Sequence, residues 1–362
     1  MIKKQYLMIP GPTMVPERIL RAMVREMINH RGSEFTKLLT NVTEGVKKHY
    51  KTKNDLFIIP SSGTGGMEAA IVNLLSEGDD VLVLNIGAFG SRFVKILKAF
   101  RANVDELKFE RGKAADIETV EKKLKSKKYK AVFFQQNETS TGVLNDVKAL
   151  AALIKKYDAL TVVDAVSGLL TADLRTDEWG LDVVIAASQK AFMLPPGLSF
   201  VSFSKMAWQS AAADGKAKMP RFYWDFKLIK DFADKGQNPV TPPVSLYYGL
   251  EESLKMLEEE GLENVFERHK KLRDLSRDGL KKLGLKLLAA DDVASCAVTA
   301  VFPPEKFADA DALRKKIREK YSVVLAGGQE ELKGKIFRIG HLGYCSEADI
   351  IVSLDAIRKE IA

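Results

Sequence analysis

The chain has 362 residues, 46% of them hydrophobic, and a net charge of +8, enough apolar material for a large core or for two domains. Its lysines are spread among nearly as many acids without aromatic–basic interleaving, which argues against a nucleic-acid partner; the densest run, residues 122–130, reads as the exposed end of a helix ahead of a strand. No apolar run is long enough to span a bilayer and no signal-peptide core follows Met1, so a soluble, cytoplasmic protein without a membrane partner is expected.

Residues 7–13 carry two prolines around Gly11 and are read as an extended arm rather than regular structure. Apolar spacing from Ile19 through Leu20, Met23 and Val24 to Met27 predicts a helix over residues 17–27, and a polar loop at residues 29–35 opens a second helix running to His49. In that loop His30 and Arg31 suit either an anion or the capping of the helix. Residues 56–60 read as a buried strand that passes into Ser61-Ser62-Gly63-Thr64-Gly65-Gly66 and then a helix over residues 67–75. Small residues between a strand and a helix N-terminus leave backbone N–H groups, with the hydroxyls of Ser62 and Thr64, free to hold a phosphate. The run is not the dinucleotide fingerprint, because Glu68 stands where its last glycine would be, and it lacks the Lys-Ser/Thr ending of a Walker loop.

The strand at residues 81–84 runs into Gly87-Ala88-Phe89-Gly90, where Phe89 suits stacking on a flat ring or an ordinary place in the core. The next strand, residues 131–134, ends in a polar cluster, Gln135-Gln136-Asn137-Glu138-Thr139-Ser140-Thr141-Gly142. Two further β-branched, apolar runs end in Asp164-Ala165-Val166-Ser167 and in Ser188-Gln189-Lys190. Polar clusters at successive strand ends build one crevice in an open α/β sheet. Taken singly, a lysine and a strand-end aspartate are ordinary solvated residues. Together, at the ends of neighbouring parallel strands, an amine and a carboxylate suit pyridoxal phosphate, whose aldehyde takes the lysine and whose pyridine nitrogen takes the carboxylate.

Beyond Lys190 a rigid loop at residues 192–197 precedes a strand at 198–203; residues 211–237 have no assignable structure, and 237–243 form a stiff link into a helix over 245–260. The remainder alternates helices (265–283, 310–320) with strands (286–288, 297–302, 323–326, 336–339), the pattern of a smaller α+β domain. Cys296 and Cys345 lie far apart without metal-ligand spacing and are read as small buried residues; with only four histidines, no metal site is expected. Arg338, in the last strand, asks for a partner: a substrate carboxylate held bidentately, or a structural salt bridge.

The order of these motifs, from Pro10-Gly11-Pro12 through Ser62-Gly63-Thr64, Phe89, the Asn137 to Gly142 cluster, Asp164-Ala165-Val166-Ser167, Ser188-Gln189-Lys190 and Thr241-Pro242-Pro243 to Arg338-Ile339-Gly340, resembles the class V, fold-type I pyridoxal-phosphate aminotransferases, in particular the alanine–glyoxylate and serine–pyruvate group. The resemblance covers nearly the whole chain. It implies an α/β fold with a mostly parallel sheet in a large domain and a smaller C-terminal α+β domain, divided into an arm (1–15), a large domain (16–258) and a small domain (259–362).

Residue by residue, the resemblance makes Lys190 the Schiff-base lysine and Asp164 the partner of the pyridine nitrogen. Phe89 would cover the ring, where many relatives have tryptophan, with Val166 on the opposite face and Thr139 on the phenolic oxygen. Ser62, Gly63, Thr64 and Gln189 would hold the phosphate, with Thr241 reaching in from a second subunit, which implies a homodimer with shared sites. Asn238 stands where close relatives carry a phosphate-binding tyrosine. Arg338, helped by backbone near Gly11, would grip the substrate α-carboxylate. The pair His30-Arg31 resembles one that phosphoserine aminotransferases use across the subunit interface and that serine–glyoxylate relatives also carry. The implied reaction is transamination between alanine or serine and glyoxylate or pyruvate; the alternative is a phosphoserine or aspartate aminotransferase using 2-oxoglutarate. A desulfurase or lyase is disfavoured, since neither cysteine lies in a catalytic context and Phe89 takes the stacking position.

Overall fold

Short β-branched and aromatic runs separated by helical spacing produce strands that alternate with helices. In the computed structural model, which describes residues 5–211 and 217–362, the strands are β1 (Tyr6–Met8), β2 (Asp55–Ile59), β3 (Asp80–Asn85), β4 (Asn103–Lys108), β5 (Ala131–Gln135), β6 (Asn137–Glu138), β7 (Val143–Leu144), β8 (Leu160–Asp164), β9 (Val183–Ala187), β10 (Ser199–Phe203), β11 (Val298–Val301), β12 (Val323–Gly327) and β13 (Phe337–Gly340). Seven of them form one sheet in the order β2-β10-β9-β8-β5-β3-β4. Neighbours are parallel except at β10, which runs against both β2 and β9. The inner strands β5, β8 and β9 are buried along their whole length, because helices cover both faces. Leu38, Val42 and Leu150 pack with Val132, Phe134 and Val163 on one side. Met67, Ile71 and Phe93 pack with Phe133, Val162 and Ile185 on the other.

A second sheet of four strands has the order β1-β12-β13-β11, with β1 parallel to β12 and the other pairs antiparallel. Its core includes Leu272, Ile317, Phe337 and Ile350. The arm expected at residues 7–13 is thus corrected in its first part: Tyr6–Met8 is a strand, since prolines begin only at position 10 and leave its N–H groups free to pair. Through that strand the chain's opening residues join the sheet formed by residues 298–340, and the segment 9–13 then crosses to the larger sheet.

Several other boundaries move. The helix expected over 17–27 is Glu17–Met23, which buries Ile19 and Ala22 and leaves Leu20, Val24 and Met27 exposed. The helix expected from residue 67 is Gly63–Leu74, so the small-residue run is its first turn rather than a loop before it. Leu287 makes only an isolated bridge to Val301 in place of a strand over 286–288. Within 211–237 the described residues include a helix, Phe226–Ala233, capped by Asp225. Cys296 is buried, but Cys345 only partly so. Among the described residues no helix is long and apolar enough to cross a membrane, and no group of three or more His, Cys, Asp or Glu side chains is arranged to hold a metal ion.

Candidate active site

The polar segments that follow β2, β3, β5, β8 and β9 leave the same edge of the large sheet, the C-terminal edge where crevices form in such folds. Parallel pairing of β8 with β9 sets Asp164 opposite Ile185, and Lys190 follows in the turn after β9. Both side chains are buried, Asp164 with 3% and Lys190 with 8% of its surface exposed. Lys190 Nζ donates to Pro10 O. The segment after β1 is laid across the turn by Thr13, whose N–H donates to Gln189 O (3.1 Å) and whose hydroxyl donates to Lys190 O (3.0 Å). Gly11 sits at φ +131°, and a Cβ there would lie 2.5 Å from Lys190 Nζ, so only glycine allows the arm this close to the amine.

Burial shapes the chemistry of both groups. Removal from water raises the Asp164 carboxyl to about 7, against the 2.9 Å hydrogen bond it accepts from the Val166 N–H; the buried carboxylate of Glu138 pushes the same way as burial. Desolvation lowers the Lys190 amine to about 8, helped by the positive charge of Arg338 and opposed by Asp164. Arg338, on β13 and 6% exposed, donates from Nε to Gly327 O (2.8 Å) and from Nη1 to Thr139 O (2.9 Å) and Gln329 Oε1 (3.2 Å). Burial lowers its guanidinium to about 10, still far above neutrality.

The remaining expected cofactor- and substrate-binding residues fall into two groups. Gly63, Thr64, Phe89, Thr139, Val166 and Gln189 surround the same crevice. A Cβ on Gly63 would meet Val166 Cγ2 at 2.8 Å. Ser62 is the N-cap of the helix Gly63–Leu74 with an exposed hydroxyl that caps nothing, and the N–H groups of Gly63 and Thr64 have no acceptor among the described residues, which leaves an anion cradle open. Thr139 Oγ1 lies 2.6 Å from Ser167 Oγ, which also accepts from Asn137 Nδ2 at 2.8 Å. Gln189 Oε1, Asn137 Oδ1 and both amide atoms of Gln135, the register neighbour of Asp164, are buried without partners among the described residues. A crevice with an open cradle, an amine, a carboxyl and orphaned amides fits a ring-bearing, phosphorylated cofactor.

His30, Arg31 and Thr241 are not joined to this cluster by any hydrogen bond or ion pair among the described residues. Arg31 Nη1 donates to Asn238 O (2.6 Å) and Gln237 Oε1 (3.2 Å), and its guanidinium lies 5.5 Å from the Phe232 ring centroid. Thr241 is exposed, two residues before the helix Val244–Glu260 begins with its Pro243 cap. Asn238 is turned inward, donating to Tyr247 Oη at 3.2 Å.

Two residues at the crevice had been given no role. Arg92, three positions after Phe89 on the helix Ala88–Ala99, donates to Thr64 Oγ1 (3.1 Å) and places its guanidinium 4.6 Å from the Phe89 ring centroid. That i, i+3 spacing was legible in the sequence. Glu138 is fully buried and accepts from the N–H groups of Phe89 (3.0 Å), Gly90 (3.2 Å) and Ser140 (2.9 Å) and from Ser140 Oγ (2.6 Å). Its carboxyl is raised by burial and held down by these donors. It therefore caps the helix that carries Phe89, a long-range contact that no local spacing announces.

The class V aminotransferase family model matches residues 5–303. The chain is 42% identical, over 99% of its length and 94% of the relative's, to a protein from Anabaena cylindrica named as the soluble hydrogenase 42 kDa subunit. It is 37% identical to the L-aspartate–glyoxylate aminotransferase of Paracoccus denitrificans, over 96% of this chain and 89% of that protein. It is 36% identical to the serine–glyoxylate aminotransferase of Methylorubrum extorquens, again over 96% and 89%. A crystal structure of alanine–glyoxylate aminotransferase from Nostoc sp. superposes with a TM-score of 0.95 at 26% identity, covering 100% of this chain and 96% of that one.

Proposed function

Because this chain belongs to the class V aminotransferase family, we propose that it moves an amino group between a small amino acid, alanine or serine, and glyoxylate, with pyridoxal 5′-phosphate carried on Lys190. The observation that carries this reading is the buried lysine, its amine lowered to about 8, lying in one crevice with Asp164 and Arg338. When bound, pyridoxal phosphate supplies an aldehyde for the lysine and a cationic ring that withdraws electrons from the substrate's α-carbon.

The chain's own residues then have distinct tasks. Asp164 holds a proton at the pyridine nitrogen, and its desolvated site makes that charged contact strong. The amides of Gly63 and Thr64, the hydroxyls of Ser62 and Thr64, and the Gln189 side chain receive the phosphate, with the Arg92 cation beside them. Thr139 would donate to the phenolic oxygen, and Phe89 and Val166 would hold the ring between them. Arg338 holds the substrate α-carboxylate and so aims the α-hydrogen at Lys190. Lys190 Nζ takes that proton, which requires the neutral amine, and the burial that lowers it to about 8 keeps a useful fraction neutral near pH 7.

A homodimer belongs to the same reading. Leu20, Val24 and Met27 are exposed, as are Phe222 and Tyr223, whose neighbour Trp224 approaches Gly65 in the cradle; exposed apolar side chains of this kind favour a covering subunit. In that assembly His30, Arg31 and Thr241 reach the partner's crevice rather than their own. Arg31 has no acidic partner among the described residues, which keeps aspartate, with its second carboxylate, as an alternative donor; the relative that uses L-aspartate supports it. The hydrogenase name of the Anabaena relative brings no second reading, since an amine, a carboxylate and a guanidinium gathered at one point suit amino-acid chemistry.

Steady-state rates with alanine, serine, aspartate and phosphoserine, each paired with glyoxylate and with 2-oxoglutarate, test the proposal. Alanine or serine with glyoxylate should give the highest kcat/KM. Turnover confined to phosphoserine with 2-oxoglutarate would overturn the substrate assignment, and sulfide or ammonia release without any oxo acid would overturn the reaction class.

A further inference from the structure

The guanidinium of Arg338 is already largely engaged. Of its five N–H groups, the one on Nε is taken by Gly327 O, and the two on Nη1 by Thr139 O and Gln329 Oε1. The two on Nη2 have no acceptor among the described residues. A carboxylate is held best by a pair of parallel N–H bonds on adjacent nitrogens. With Nε committed, that pair must include one hydrogen of Nη1, and both are occupied. Gly327 O and Thr139 O are main-chain atoms, fixed by the end of β12 and by the polar turn after β5. The remaining acceptor is a side chain, and its bond is the longest of the three.

The main chain around Gln329 is tied down, so exchange requires only that its side chain turn. Gly328 N donates to Ile336 O (3.0 Å) and Leu332 N to Gln329 O (3.0 Å). Glu330 accepts from Ser91 Oγ (2.9 Å) and Lys95 Nζ (3.0 Å), both on the helix that carries Phe89, and Glu331 pairs with Arg111. The turn is thereby pinned to the large sheet's layer of helices.

We propose that the Gln329 amide oxygen occupies on Arg338 the place of one substrate carboxylate oxygen, and that docking of a carboxylate displaces it; Gln329 is then a positioning residue that sets how tightly the site takes its acids. This deepens the reading above and rests on Arg338 as the carboxylate holder. The amide keeps the buried cation partnered between turnovers, when an unpaired guanidinium would be costly, yet it is neutral and yields to an anion.

Gln329→Ala, Gln329→Glu and the unaltered enzyme, all loaded with cofactor, are compared for KM with the amino donor and for the Kd of propionate, which has a carboxylate but no amino or oxo group, by calorimetry. Gln329→Ala should lower both constants roughly threefold to tenfold with kcat within about twofold. Gln329→Glu, a tethered carboxylate, should raise both by about tenfold or more. Constants unchanged or raised in Gln329→Ala overturn the inference, because they make the amide a support for Arg338 rather than its stand-in. If Gln329→Glu does not fold, the alanine variant decides alone. Should no amino acid be turned over while propionate still follows this ranking, the transamination reading falls and this one stands; turnover with a flat propionate ranking has the reverse meaning.

Discussion

In two of the sets of titratable side chains buried in this protein, burial means opposite things. Beside the four-stranded sheet, His269 contacts Val265 O through Nδ1 (2.7 Å) and accepts the Gly343 N–H at Nε2 (3.1 Å), while His341 contacts Cys296 O through Nδ1 and Thr299 Oγ1 through Nε2, each at 3.0 Å. The carbonyl at each Nδ1 demands a donor, so both rings are neutral with the proton on that nitrogen. Desolvation lowers them to about 3 and about 4. In the crevice, desolvation is again the first cause of the shifts at Lys190 and Asp164. There, however, Gln135, Asn137 and Gln189 have atoms without partners, and the cradle amides have no acceptor, among the described residues. A shifted pKa accompanied by satisfied hydrogen bonds marks structure; the same shift beside orphaned polar atoms and reserved space marks a site.

The sharpest way to break this contrast is Lys190→Ala. Turnover should fall by about 10⁴-fold or more and the visible absorbance of the loaded protein should vanish, whereas His269→Gln should change kcat little. Normal turnover in Lys190→Ala would empty the distinction.

Next in size is the pH dependence of cofactor loading. Only the neutral amine attacks an aldehyde, and Lys190 is lowered to about 8. The loading rate, followed by absorbance, should therefore rise with pH to a half-maximum near 8 rather than near the ordinary lysine value, and be about fiftyfold slower at pH 6 than at pH 8. A half-maximum above pH 10 would show that burial does not tune this amine.

Glu138→Ala removes the acceptor of the Phe89 and Gly90 N–H groups. It should cost about 2–3 kcal/mol in denaturant unfolding and lower kcat/KM about tenfold by loosening the helix that carries Phe89. Glu138→Gln, which retains an acceptor, should lose less.

The last effect, on stability alone and only at acid pH, belongs to the histidines. Because their folded-state values are depressed, the unfolded chain takes up protons first as the pH falls. The stability they contribute is complete above about pH 6.5 and is lost on descent toward about 4 for His341 and about 3 for His269. The slope of unfolding free energy against pH between 6.5 and 4 should be shallower by about 1.4 kcal/mol per unit in His269→Gln than in the unaltered chain. Equal slopes would mean that His269 is not held neutral.

Much of the crevice was readable because it is built at strand ends. Asp164 and Lys190 follow apolar β-branched runs, and a parallel sheet brings successive strand ends together whatever the intervening helices contain. Element boundaries were less legible. The helix at Glu17 stops at Met23 although the apolar spacing continues to Met27, because Ile19, Ala22 and Met23 find a surface to pack on while Val24 and Met27 stay exposed. Residues 63–66 look like a loop by composition, yet packing of the helix against β9 and β10 draws them into its first turn. Glu138 lay within a motif that was noticed, but its partners at Phe89 and Gly90 come from a different strand end.

What the amino-acid order indicated by itself was local: which runs are the inner strands of the large sheet, and that polar residues, an amine and a carboxylate among them, follow their ends. What only the folded chain decided were the couplings across distance. These include Pro10 over Lys190, Glu138 beneath the Phe89 helix, Arg92 beside Thr64, and Gln329 on Arg338. The physical reason is that periodicity reports which face of an element is buried, whereas hydrogen bonds between side chains far apart in sequence depend on how whole elements pack, and no spacing along the chain encodes that.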